Sequence, residues 1–184
     1  MSWHRISLDN VAPTPWRNGG GTTRELVVFP VREHWHWRLS VADIEHDGPF
    51  SCFDGVRRWF VVLSGAGVTL DINGVGHGLT AESPPLAFDG SSQTHCSLAA
   101  GPTRDFNLMI NQGRGLMERV DGAVAKAVCS GGAVALWSGS APASATFEGN
   151  TVELAANTLA WRHLDLGGRV EVRVRNGLWM EISP

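Results

Sequence analysis

Arginine carries most of the chemical promise in this 184-residue chain. Among its 15 basic residues only Lys126 is a lysine, and a guanidinium grips a planar carboxylate through two parallel hydrogen bonds where an ammonium cannot. Arg24, Arg38, Arg58 and Arg104 fall in or beside strand-like segments. A long charged side chain is costly there unless it is paired or faces a cavity. Glu25, Asp43, Asp54 and Asp105 stand close enough to serve as partners. Two readings follow: local ion pairs, or an anion-binding cavity edged by polar Asn and Ser positions.

The second candidate is "PWRNGGGTTREL", Pro15 to Leu26. A phosphate-binding P-loop needs GxxxxGK[ST] opening a helix, and a dinucleotide fingerprint needs strand, turn and helix. Here Gly19-Gly20-Gly21 leads through Thr22-Thr23-Arg24 into strand-like "LVVF", with no lysine. The glycines then form either a plain turn before a strand or a close backbone approach to a ligand. In the second case Asn18, Thr22 and Arg24 add polar groups, and Trp16 or Trp37 walls the cavity.

Metal and nucleophile chemistry find less support. His34 and His36 in "HWHW" share one strand face, as paired imidazole ligands in β-barrel metalloproteins do. Ser40 stands where a glutamate ligand is expected, and "PPLAFDGSSQTHC" supplies no second ligand motif. No metal and no cofactor are therefore expected. There is no GxSxG elbow, and no cysteine is marked as a nucleophile by an obvious histidine partner. Asp47, Asp105 and His95 remain as proton carriers if the protein is instead an enzyme, an isomerase or hydrolase acting on a small acid.

The elements that must hold these residues are strands. Trp35, Trp37, Leu39 and Val41 alternate with His34, His36, Arg38 and Ser40, and Phe106, Leu108 and Ile110 alternate with Asn107, Met109 and Asn111. "RWFVVLSG" is a buried strand. Asn73-Gly74 and Asn176-Gly177 read as hairpin turns. No segment sustains a helical apolar pattern, and 22 glycines and nine prolines punctuate short strands. The expected fold class is all-β, a barrel or sandwich. "WSGSAPASATFEGN" reads as a loose loop. Composition shifts between Asn111 and Ser130, giving approximate halves 1–115 and 116–184.

Net charge near -3 without a basic stripe argues against nucleic acid, and no apolar run approaches membrane-spanning length. Three scattered cysteines and no secretory leader pattern fit a reducing, cytoplasmic setting. A homodimer and a protein-interaction module acting through its tryptophans both remain compatible with the sequence.

Four blocks, "PWRNGGGTTREL", "WRLSVADIEHDGPFSCFDGVRRWFVVLSGAGVTL", "LAFDG" and "GPTRDFNLMIN", resemble the HutD/Ves family in order and spacing over residues 13 to 113. The resemblance implies a bicupin, two small β-barrel or jelly-roll halves in one chain, without the usual cupin metal ligands; the division into halves leaves room for strand exchange between them. It also implies a tie to histidine utilisation by binding a small acid, such as N-formylglutamate or urocanate, with no established catalysis. By that resemblance Arg58 is the pocket arginine. Trp16, Asn18, Thr22 and Arg24 match the first block, and Arg104, Asp105 and Asn107 the last. Trp59-Phe60 departs from the smaller residues common after that arginine. Gly19, Gly20 and Arg38 complete the expected ligand-binding set.

Overall fold

The computed structural model describes residues 2–184. In chain order the strands are β1 (His4–Ser7), β2 (Thr14–Pro15), β3 (Gly21–Val31), β4 (His34–Ile44), β5 (Gly48–Pro49), β6 (Arg57–Ser64), β7 (Val68–Ile72), β8 (Val75–Leu79), β9 (Leu86–Asp89), β10 (Thr94–Leu98) and β11 (Thr103–Ile110). They continue as β12 (Arg114–Val128), β13 (Ala133–Trp137), β14 (Ala143–Phe147), β15 (Asn150–Leu154), β16 (Thr158–His163) and β17 (Gly168–Ser183). One 3-10 turn, Leu8–Asn10, interrupts them. Among the described residues no helix is long and apolar enough to cross a membrane.

The strands divide into two compact units, Ala12–Gln112 and a second made of Gly113–Pro184 with the segment up to Val11. The segment up to Val11 belongs with the second unit because β1 pairs antiparallel with β16, His4 opposite Trp161 and Ser7 opposite Thr158. A four-residue strand carries too little pattern to reveal a partner more than 150 residues away.

In the Ala12–Gln112 unit, a six-stranded sheet runs β2-β3-β4-β11-β6-β9 and a four-stranded one runs β5-β10-β7-β8. Period-two alternation decides what each strand buries. Ile44, Phe60, Val62 and Phe88 of the larger sheet form one apolar cluster with Val68, Leu70, Leu79 and Cys96 of the smaller. Full burial of each large apolar side chain contributes about 1.5–3 kcal/mol. Phe60, Val61 and Val62 are all 1% exposed or less, so β6 is buried on both faces, which explains its unbroken apolar run. Asn73 and Gly74 take φ of 52° and 85° and turn β7 into β8, as Asn-Gly requires.

In the second unit, β17 pairs with β12 along nearly its whole length. Its N-terminal part also pairs with β14 and its C-terminal part with β13. Asn176-Gly177 is not a hairpin. Asn176 has φ 52°, but the register merely shifts between Val120 and Gly122, and the strand continues. The Asn176 amide donates to Asp121 Oδ1 at 2.9 Å, which satisfies the group the bulge frees. Nor is "WSGSAPASATFEGN" a loose loop, since it contains β14 and its turn into β15 at Glu148-Gly149, φ 50° and 75°. Ala143, Ala145 and Phe147 are buried, and the small alanines hid this alternation.

Candidate functional site

One face of β4, β11 and β6 builds a polar floor by simple register. Arg38, Met109 and Arg58 form a row across the three strands. Ser40, Asn107 and Phe60 form the next, and Ala42, Asp105 and Val62 the one after. Above this floor lies a cavity of about 700 Å³, a size suited to a small ligand. Its lining also includes Trp16, Asn18 and Thr23 from the N-terminal block, and Phe50, Ser51 and Phe53 from the segment after β5.

Arg58 is 7% exposed on this lining. Its guanidinium carbon sits 5.1 Å from the Phe88 ring centroid, 5.3 Å from Phe50 and 5.7 Å from Phe53. Three aromatic faces therefore stabilise a charge that a carboxylate would ordinarily hold. Its hydrogen bonds are long: Nη1 donates to the Ser51 carbonyl and Nη2 to Asn107 Oδ1, each at 3.4 Å, while Nε has no partner. Burial lowers its pKa to about 10, with Asp105 opposing and Arg38 assisting, so it remains a cation at neutral pH.

Asp105, 1% exposed, accepts from Asn107 Nδ2 at Oδ1, while its Oδ2 is buried without a partner. Burial pushes this carboxyl up to about 8, against the Asn107 hydrogen bond and Arg58 and with help from Asp43. It is the only acid on the lining, which carries three arginines, Arg17, Arg38 and Arg58.

The structure brings Trp16, Asn18, Arg38, Arg58 and Asn107 onto this lining and leaves Gly19, Gly20, Thr22 and Arg24 off it. Alternation explains Thr22 and Arg24, because Thr23, one residue along, faces the cavity. Arg24 lies with Asp43 and Arg104 on the opposite side. Its Nη1 donates to Asp43 Oδ2 at 2.7 Å, while Arg104 grips the same carboxylate through Nε at 2.6 Å and Nη2 at 3.1 Å. Burial works to raise the Asp43 carboxyl, but hydrogen bonds from Arg104 and then Arg24 hold it below the ordinary range. This contribution to stability is present above the usual carboxylate range and is lost as pH falls through the lowered value. Arg24→Met is accordingly expected to cost about 1 kcal/mol of folding stability. It should leave carboxylate affinity within about twofold, since its group is spent on Asp43. Calorimetry beside urea unfolding separates the two, and a large affinity loss would return Arg24 to the site.

The glycines also work differently from the ligand-approach reading. Gly19 has φ +71° with open space around it. Gly20 donates its amide to Asn18 Oδ1 at 3.0 Å and accepts from the Glu45 and His46 amides, so the loop consumes its own polar groups. Gly21 is the close approach, since a Cβ there would sit 2.2 Å from the Asp43 carbonyl oxygen. Trp37 is not a cavity wall either. It lies on the other face of β4 and stacks on Phe29 at 5.2 Å, while Trp16 lines the cavity and donates to Thr23 Oγ1 at 2.7 Å.

Trp59 faces away from Arg58, whereas Phe60 shares the Arg58 face and joins the apolar cluster between the two sheets, beside the cavity. Arg38 is half-buried and pairs with Glu25 at 3.1 Å. Asp47 accepts the Leu98 amide, and neither it nor His95 lines the cavity. Among the described residues no three His, Cys, Asp or Glu side chains converge as a metal-ligand set. Thr23, Ser40 and the two phenylalanines were not singled out from sequence. Parity with Arg38 would have found Ser40, but no local pattern announces the ring cage.

Two antiparallel β units in one chain, one enclosing an arginine-floored cavity, define a bicupin. The HutD family pattern matches residues 9–179, and the chain belongs to that family. It is 42% identical over 97 residues to an uncharacterised protein from the hutC 3' region of Pseudomonas putida, covering 52% of this chain and 51% of the relative. It is 39% identical over 102 residues to Protein Ves of Citrobacter koseri, covering 54% and 53%. The match thus spans about half the length of these curated relatives. HutD from Pseudomonas fluorescens SBW25, solved in a formate condition, superposes with a TM-score of 0.89 at 29% identity, covering 99% of this chain and 98% of that one.

Proposed function

We propose that this protein binds a small organic acid in the Arg58 cavity and recognises it without turnover. The candidate acids are intermediates of histidine breakdown, such as N-formylglutamate or urocanate, whose capture would limit flux or induction. The observation that carries this reading is the state of Arg58, a buried cation beside open space with its Nε unpartnered. An uncompensated buried charge costs several kcal/mol, and a ligand carboxylate would supply two charge-assisted acceptors. Arg17 and Arg38 add positive potential to the same lining. The link to histidine utilisation rests on the family name and on the hutC-region relative.

The test is calorimetric titration with N-formylglutamate, urocanate and glutamate, with each mixture then followed by NMR. One-to-one binding with every ligand recovered intact is expected. Absence of binding by all three would defeat the reading. The enzymatic alternative keeps one favourable observation, since a buried carboxyl raised toward neutrality in a cavity is how a general acid looks. Of its three proton carriers only Asp105 lines the cavity, and product in the NMR arm would decide for it.

A further inference from the structure

Asp105 lines the cavity, and its Oδ2 is buried without a hydrogen-bond partner. Asn107 fixes its geometry: the Asn107 carbonyl oxygen faces Arg58, so the amide nitrogen must face Asp105 Oδ1. The flanking positions on the neighbouring strands are Ala42 and Val62, which offer no side-chain donor. An ionised carboxylate here would have one neutral amide donor for two oxygens, in a site 1% exposed. Among the described residues none forms an ion pair with it. A carboxyl bearing its proton on Oδ2 needs only one acceptor, and the protein supplies none.

We propose that Asp105 is held as a neutral carboxyl and donates its hydrogen to an oxygen of the acid anion that Arg58 grips. This rests on the ligand-binding reading of the cavity and adds a second recognition element to it. The pair discriminates by chemistry: a carboxylate accepts from both groups, whereas an ammonium or amide NH₂ in the same place meets two donors. A neutral carboxyl that acts as a donor is stable only where burial outweighs its neighbours.

Charged and titratable groups reach it from β4, β6 and β10, and they pull in both directions. Arg58 of β6 favours ionisation and Asp43 of β4 opposes it, while Arg38 of β4 lines the same cavity and acts on Arg58. Cys96 of β10 is pushed up to about 12 by burial and then by the carboxylates of Asp105 and Asp47, so it stays a neutral thiol. No histidine lines the cavity. Burial dominates, and the carboxyl's transition falls at about 8.

The experiment uses N-formylglutamate, whose charge is constant at and above neutral pH. If only the protonated carboxyl supports the complex, affinity should fall about thirtyfold between about pH 7 and pH 9.5. Asp105→Asn keeps a donor and cannot ionise. Whatever its affinity at neutral pH, its profile should lose less than about twofold over that range, as Arg58 begins to deprotonate. A wild-type profile as flat as the variant's would overturn the proposal while leaving ligand binding intact. The ligand-free protein gives an independent arm: the Asp105 carboxyl-carbon NMR signal, assigned by its loss in Asp105→Asn, should titrate near 8. A midpoint in the ordinary carboxylate range would overturn the proposal even if no acid binds at all.

Discussion

Arg58→Ala should weaken the binding of small carboxylates by about 2–5 kcal/mol, the range for removing one member of a desolvated, hydrogen-bonded charge pair. The guanidinium is the cation the three phenylalanine rings surround, and its intramolecular hydrogen bonds are too long to have consumed it. Arg58→Met keeps the volume of the stem and removes only the charged fork, so it guards against collapse of the ring cage. The two roles open to a buried arginine predict opposite effects of that variant on the ligand-free protein. A structural arginine stabilises the fold, and its loss would lower the unfolding midpoint. A recognition arginine held without a counter-ion is a cost the apo protein bears, so Arg58→Met should unfold at the same or higher denaturant concentration while losing ligand. Arg58→Lys should not rescue binding, because a point charge cannot reproduce the bidentate contact or stack on flat rings. Unchanged calorimetric affinity in Arg58→Met would remove the anchor.

How much of this was legible depends on the range over which each residue acts. Strand alternation is local, so the all-β class and the shared face of Arg38 and Ser40 could be read from neighbouring residues. The roles of the four arginines could not. Arg24, Arg58 and Arg104 occur in similar strand contexts, yet Asp43 absorbs two of them and three rings isolate the third. Which arginine meets an acid is fixed by register between β3, β4 and β11, and single-strand periodicity gives a residue's face but not its cross-strand partner. The same limit explains Asn176-Gly177. Positive φ was readable from the residue types, but whether it closes a hairpin or bulges a continuous strand depends on a partner more than fifty residues earlier. Asp105 sits in the quoted "GPTRDFN" block, but its buried environment comes from β4, β6 and β10. Its altered acidity is a property of the fold alone.

The triple glycine makes the second large prediction, and its parts should separate. Gly21→Val is expected to destabilise the protein by about 3 kcal/mol, the upper end for overpacking. The obstacle is backbone: a Cβ would press on the Asp43 carbonyl at 2.2 Å, where Gly21 pairs with Ile44 across the β3–β4 ladder. That carbonyl has little room to retreat, because two arginines clamp the Asp43 side chain from the other face. Displacing β4 would also shift Arg38, Ser40 and Ala42, so binding should fall together with stability. Gly20→Val differs. Its added atoms meet Asn18 Oδ1 at 3.3 Å and the Trp16 ring at 3.5 Å, side chains that line the cavity and can move. The expected result is a protein that unfolds within about 1 kcal/mol of the wild type and binds acid more weakly, since mobile side chains relieve most of the crowding. Urea unfolding and calorimetry on both variants test this together. Equal loss of folding in the two would mean that the loop is a uniform turn, with no division between its strand-pairing glycine and its cavity-edge glycine.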